Sequence, residues 1–166
     1  MRWELLGVVD RMIRVEPQRH RVTKNGEEVT ARNSAAKERP ALPPELGLIS
    51  GAVVDAAFRV HKTLGPGLLE SVYELCLRRE LLRRGVAFQS QLSLPVRYEG
   101  IQIESGLRVD MIVDGRVIVE LKAVEVMHPI HTAQLLTYLK LTGLRVGLLI
   151  NFNVPLIREG IRRIVL

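Results

Sequence analysis

Apolar residues recur at helical spacing from Leu46 onward. Ile49, Val53, Ala56, Ala57 and Val60 fall on one helix face, and Gly65-Pro66-Gly67 ends the segment. A second helix is expected over about 68–84. Its apolar stripe would be Leu69, Val72, Leu75, Cys76 and Leu82, with Gly85 as the C-terminal cap. The period then changes to two. Leu92, Leu94, Val96 and Tyr98 alternate with other residues, as in a strand. Pro95 inside it marks a sheet edge or a bulge, because proline has no N–H for a ladder. A turn at Glu99-Gly100 leads to a short strand near Ile101 and Ile103. Two more strands are expected over about 107–113 and 117–123, then a helix over 129–141 ended by Gly143. A buried strand over 145–152 and a last short one over 161–166 follow. This order predicts an α/β fold, a mixed central sheet flanked by helices.

Residues 108–123 carry the most information. A two-residue turn at Asp114-Gly115 would pair Val113 with Arg116 and Asp110 with Val119, mixing charged and apolar positions. A three-residue loop, Asp114-Gly115-Arg116, pairs Val113 with Val117, Ile112 with Ile118 and Asp110 with Glu120. Only this register keeps Val109, Met111, Val113, Val117, Val119 and Leu121 together on one apolar face, and a buried face fixes register. Asp110, Glu120 and Lys122 then share the other face. Adjacent carboxylates repel unless a cation lies between them, and oxygen donors suit Mg²⁺ or Mn²⁺. A lysine beside them can orient water or stabilise charge on a phosphate. Glu-x-Lys alone is common and reads equally as a surface ion pair. The shared face is what points to chemistry.

Composition narrows the picture. The polar stretch from Gln18 to Pro44 reads as loop or tail, so residues 1–44 are taken as a flexible extension outside a domain spanning 45–166. Met1–Val15 has some helical periodicity, but no partner for it is evident. No apolar run approaches the roughly 18 residues of a membrane span. The single cysteine, Cys76, excludes an internal disulfide and fits a reducing, cytoplasmic setting. Glu4 and Asp10 interrupt the N-terminus, which does not read as a secretory signal. The net charge of +6 favours polyanionic partners, although no long Lys/Arg run exists. Arg78, Arg79, Arg83 and Arg84 could track a phosphate backbone or merely be a solvated face. Aromatic residues are too few, at 4%, for an evident base-stacking platform.

Other polar residues fall into register with this group. Gln134 and Tyr138 are four apart on one helix face, with His131 three before Gln134. Glu70 and Tyr73 share a face of the second helix. His128 and His131 form H-x-x-H, but Pro129 between them makes poor geometry for a zinc pair. His61, after an apolar face, reads as structural.

Together these residues resemble the GxxExxY proteins, grouped with the PD-(D/E)XK nuclease superfamily. The resemblance runs through Val60–Gly67, Gly67-Leu-Leu-Glu70-Ser-Val-Tyr73, Arg108-Val-Asp110 and Glu120-Leu-Lys122-Ala-Val-Glu125. It continues in Gln134-Leu-Leu-Thr-Tyr138 through Gly143 and in Gly147-Leu-Leu-Ile-Asn151-Phe-Asn153. It implies an αβββαβ core. It implies Asp110 and Glu120 as metal ligands, Glu70 as a further ligand and Lys122 as the catalytic lysine. Gln134 and Tyr138 would match a Q-x-x-x-Y element beside the active site, with Tyr73 and His131 supporting. The expected function is a Mg²⁺- or Mn²⁺-dependent nuclease acting on nucleic acid, DNA ahead of RNA, with no membrane partner. The alternative is a non-catalytic nucleic-acid-binding or assembly module. A homodimer through residues 146–152 and the helix before them stays open.

Overall fold

A computed structural model describes residues 42–166. The expectations for residues 1–41, including the periodic segment Met1–Val15, lie outside the described residues. The chain runs α1 (Pro44–Leu64), α2 (Glu70–Arg83), β1 (Phe88–Tyr98), β2 (Ile101–Val113) and β3 (Val117–Lys122). It continues with α3 (Pro129–Thr142), β4 (Val146–Asn151), α4 (Ile157–Gly160) and β5 (Ile161–Val165). The five strands form one sheet in sequence order. All neighbours are antiparallel except β3 and β4, which are parallel and joined by the α3 crossover. The αβββαβ order is thus present, inside a mixed sheet with helices on both faces. No described helix is long and apolar enough to cross a membrane.

The sheet divides the core. On one face, α1 and α2 pack on Met111, Val113, Val117, Val119, Leu121, Leu148 and Ile150. On the other, Leu135, Tyr138 and Leu139 of α3 pack on Ile118, Leu149 and Ile164. Every residue of β3 and β4 is therefore buried, as expected where a parallel pair is covered on both sides. Gly147 on β4 lets α3 come close: a Cβ there would meet Leu135 Cδ1 at 2.8 Å.

The predicted hairpin register holds near the turn but not as far as the expected Asp110–Glu120 pair, because the ladder stops one pair short of it. Val113 pairs with Val117, Ile112 with Ile118 and Met111 with Val119. Asp114 and Gly115 both take positive φ, 50° and 63°, which aspartate and glycine tolerate better than other residues. Pro95 meets both of its expected conditions: β1 is an edge strand, and the register shifts between Leu94 and Val96.

Three expectations are corrected, and one element was not anticipated. The segments near 101–103 and 107–113 form one strand, since β1 runs long enough to pair with both. Val109 does not share a face with Met111; it packs in the α3 cluster. The short helix α4 had no periodic signal in its four residues. Finally, α2 is rotated from its expected stripe. It buries Tyr73, Leu77 and Leu81, one turn apart, and leaves Leu69, Leu75 and Leu82 exposed at 74%, 65% and 63%. Both faces of α2 carry leucines, so periodicity could not choose between them. The Tyr73 ring decides, stacking on Phe152 with centroids 4.5 Å apart.

This rotation makes opposite forecasts for two leucines. Leu77→Ala empties a fully buried site and should cost roughly 2–5 kcal/mol. Leu75→Ala should cost about 1 kcal/mol or less, as exposed positions do. Denaturant unfolding of both variants checks this, and equal losses would refute the rotation.

Candidate active site

The site forms where β2 and β3 part. Their ladder ends at Met111↔Val119. Beyond it, the Leu121 N–H donates to Asp110 Oδ2 at 2.8 Å. A side-chain carboxylate thus occupies the place of a ladder acceptor, and the strands splay around it. Glu120 and Lys122, two apart on β3, point to the same side, while Leu121 between them enters the apolar core. The Lys122 ammonium donates to Glu120 Oε1 at 2.8 Å and to the Leu121 carbonyl at 2.7 Å. Its Nζ also lies 3.8 Å from Glu70 Oε1. Asp110, Glu120, Lys122 and Glu70 are therefore brought together.

The Gly-x-x-Glu-x-x-Tyr segment places Glu70 by a local mechanism. Gly67 takes φ 97°, a conformation that glycine alone adopts freely. It turns the chain into α2, whose first residue is Glu70. One turn on, the Tyr73 hydroxyl donates to the Gly65 carbonyl at 2.7 Å and accepts from the Leu68 N–H at 3.1 Å. Tyr73 thus clips the entry loop to its own helix. It faces Phe152 rather than the carboxylates and bears on the site through the position of Glu70.

On α3, Gln134 Nε2 donates to the Tyr138 hydroxyl at 2.6 Å. The charges of Glu120, Asp110 and Lys122 all act on Tyr138, whose hydroxyl is pushed up first by burial. His131 is held down by burial and then by the charges of Lys122 and His128. Gln134, Tyr138 and His131 therefore border the same face. His128 instead caps α3, its Nδ1 accepting from the Ile130 N–H at 3.4 Å. His61 donates from Nε2 to the Val154 carbonyl at 2.8 Å and ties α1 to the loop after β4.

Sequence reasoning gave no role to Asn151. It is 2% exposed and pairs with Lys122 in the β3–β4 ladder. Its amide donates to the Val124 carbonyl at 2.8 Å, and its carbonyl oxygen accepts from the Val124 and Asn153 N–H groups. It fixes the chain just after Lys122. Gly160 leaves room for the Asn151 carbonyl, which any Cβ would strike. A polar residue closing the apolar run Val146–Ile150 was the available signal.

The electrostatics are unbalanced, with three carboxylates facing one ammonium. Glu120 is 2% exposed. Burial, then the Asp110 charge, pushes its carboxyl up to about 7 against the pull of Lys122. Burial also raises Asp110, opposed by the Leu121 N–H, and raises Glu70, opposed by Lys122. For Lys122, burial works to lower the ammonium. The Glu120 hydrogen bond and the charges of Glu120, Glu70 and Asp110 outweigh it and leave the group raised. Glu120 Oε2 is buried with no hydrogen-bond partner among the described residues. No group of three His, Cys, Asp or Glu among the described residues is arranged to hold a metal ion. The donor set nevertheless fits a hard divalent cation. Mg²⁺ is usually held by one or two carboxylates, with water and phosphate completing its shell.

Two carboxylates and a lysine thus lie at the parting ends of adjacent strands, on a mixed sheet preceded by an acid-bearing helix. The chain belongs to the PD-(D/E)XK nuclease superfamily: a sequence model of that superfamily matches residues 48–164. Neither curated proteins nor solved structures give a match.

The raised Glu120 carboxyl sets a pH dependence for the metal-free protein. Its folded value lies above its ordinary one, so between about 4.5 and 7 the folded state binds more protons than the unfolded. Stability should fall as pH rises through that window, by about 3 kcal/mol at most from this group. Thermal unfolding in chelator from pH 5 to 8 should show the decline, and Glu120→Gln should flatten it. A stability that rises with pH would contradict this account of the cluster.

Proposed function

We propose that this domain is a divalent-cation-dependent nuclease hydrolysing phosphodiester bonds of nucleic acid, with Mg²⁺ or Mn²⁺ as the ion and DNA as the first substrate. The observation that carries the reading is Glu120 Oε2, buried without a partner beside two further carboxylates and a single lysine. Such an arrangement is costly as it stands, because buried charge is tolerable only when paired. A divalent cation removes that cost. Membership of a nuclease superfamily supports the same direction, and the net charge of +6 suits encounter with a polyanion.

Each residue has a distinct role in this reading. Asp110 and Glu120 would hold the cation, and Glu70 would be free to add a donor from α2 only by moving toward them. When bound, such an ion supplies charge neutralisation at the phosphate and acidifies water. Lys122, fixed by Glu120 and the Leu121 carbonyl, places its ammonium where negative charge grows on the phosphate oxygens. Gln134, oriented by Tyr138, positions water or phosphate at the edge of the cluster. His131 supports the α3 side as a group biased toward neutrality. Water attacks phosphorus and gives up a proton as the new P–O bond forms, one ester P–O bond breaks, and the leaving oxygen takes up a proton.

Calorimetric titration of Mn²⁺ into the wild type, Asp110→Ala and Glu120→Ala is the direct test. Binding to the wild type and its loss from both folded variants is expected. With DNA present, Lys122→Ala should retain Mn²⁺ binding and lose roughly 10²-fold or more in cleavage rate. Absence of Mn²⁺ binding by the wild type would remove this reading. DNA binding that is salt-sensitive but indifferent to chelator and to Lys122→Ala would replace it with a non-catalytic binding module.

A further inference from the structure

Gln91 lies opposite Asp110. The β1–β2 register is continuous from Phe88↔Val113 to Leu94↔Leu107, and Gln91 with Asp110 is the one pair it skips. Gln91 has φ 56°, in the left-handed region that L side chains disfavour. Glu99 and Asp114, the other described non-glycine residues with positive φ, both sit in turns. Gln91 sits within a strand.

At the same level β2 changes face. Val109 packs in the α3 cluster and Met111 in the α1–α2 cluster, although residues two apart on a regular strand share a face. The backbone therefore rotates at Asp110. That rotation brings the carboxylate to the Leu121 N–H at 2.8 Å. Local irregularities in strand pairing re-aim side chains in this way. The Gln91 amide adds a second tie. Nε2 donates to Glu74 Oε2 at 2.7 Å, and Oε1 accepts from Arg108 Nη1 at 3.4 Å. Glu74 is one turn along α2 from Glu70. One side chain thus joins the helix bearing Glu70 to the strand bearing Asp110.

We infer that Gln91 is a positioning residue: its left-handed backbone sets the rotation of β2 that aims Asp110. The inference touches the proposed cation site, and it rests on that reading for its second readout alone. The first readout is independent of any metal. If β1 returned to regular pairing, β2 would turn back, and Asp110 would release the Leu121 N–H.

The test compares Gln91→Gly, which accepts positive φ but lacks the amide, with Gln91→Val, which resists positive φ. Gln91→Ala repeats the comparison if the valine variant does not fold. Amide hydrogen exchange is followed by NMR in the full metal-free chain, with Ile150 in the β4 ladder as internal control. The glycine variant should keep Leu121 protected. The valine or alanine variant should lose that protection while Ile150 stays slow. Mn²⁺ affinity should fall about tenfold or more in the valine or alanine variant and far less in the glycine variant, as for residues that orient a ligand. Leu121 protection kept in all variants, or lost equally in the glycine variant, overturns the inference. If protection separates the variants and the wild type binds no Mn²⁺, the positioning role stands and the cation reading falls.

Discussion

Asp110 takes the Leu121 N–H with its carboxylate at the point where the ladder between β2 and β3 ends. Buried backbone donors must be satisfied, so this bond lets two central strands part without leaving an orphan. Glu120 and Lys122 follow on β3 directly past that end of the ladder. The site is therefore a consequence of where the sheet stops pairing.

The cluster held there works against stability. Three carboxylates raised by burial face one lysine, and a buried oxygen of Glu120 lacks a partner. A sequence selected only for stability would place apolar residues there, as it does at every other position of β3. Such local conflict with good folding practice is what functional sites show. The surrounding structure offsets it with a core on both faces of the sheet.

That core is tied to the site at three points. Tyr73 stacks on Phe152 and clips the loop that sets Glu70. Asn151 locks the chain after Lys122. The Phe152 N–H donates to the Lys122 carbonyl at 2.8 Å. Residues 151 and 152, at the end of β4, thus serve both the α2 side and the β3 side, and the acidic groups are held from several elements at once.

Much of this was legible in the sequence. Alternation pointed to the hairpin register, which holds from Val113↔Val117 to Met111↔Val119, although Glu120 and Lys122 prove to be buried as well. From that register alone Asp110, Glu120 and Lys122 share a side. Gly67, Glu70 and Tyr73 could be seen as a motif, yet the bonds from the Tyr73 hydroxyl to Gly65 and Leu68 were not visible. Three matters were decided only by tertiary structure. The rotation of α2 depended on the Phe152 ring, far along the chain, since leucines lie on both helix faces. The change of face between Val109 and Met111 depended on Gln91 in the neighbouring strand, where pattern assumes a regular period. The imbalance of charge depended on burial. A sequence specifies which residues alternate or recur. How far each is removed from water, and which distant group meets it, is set when the layers pack.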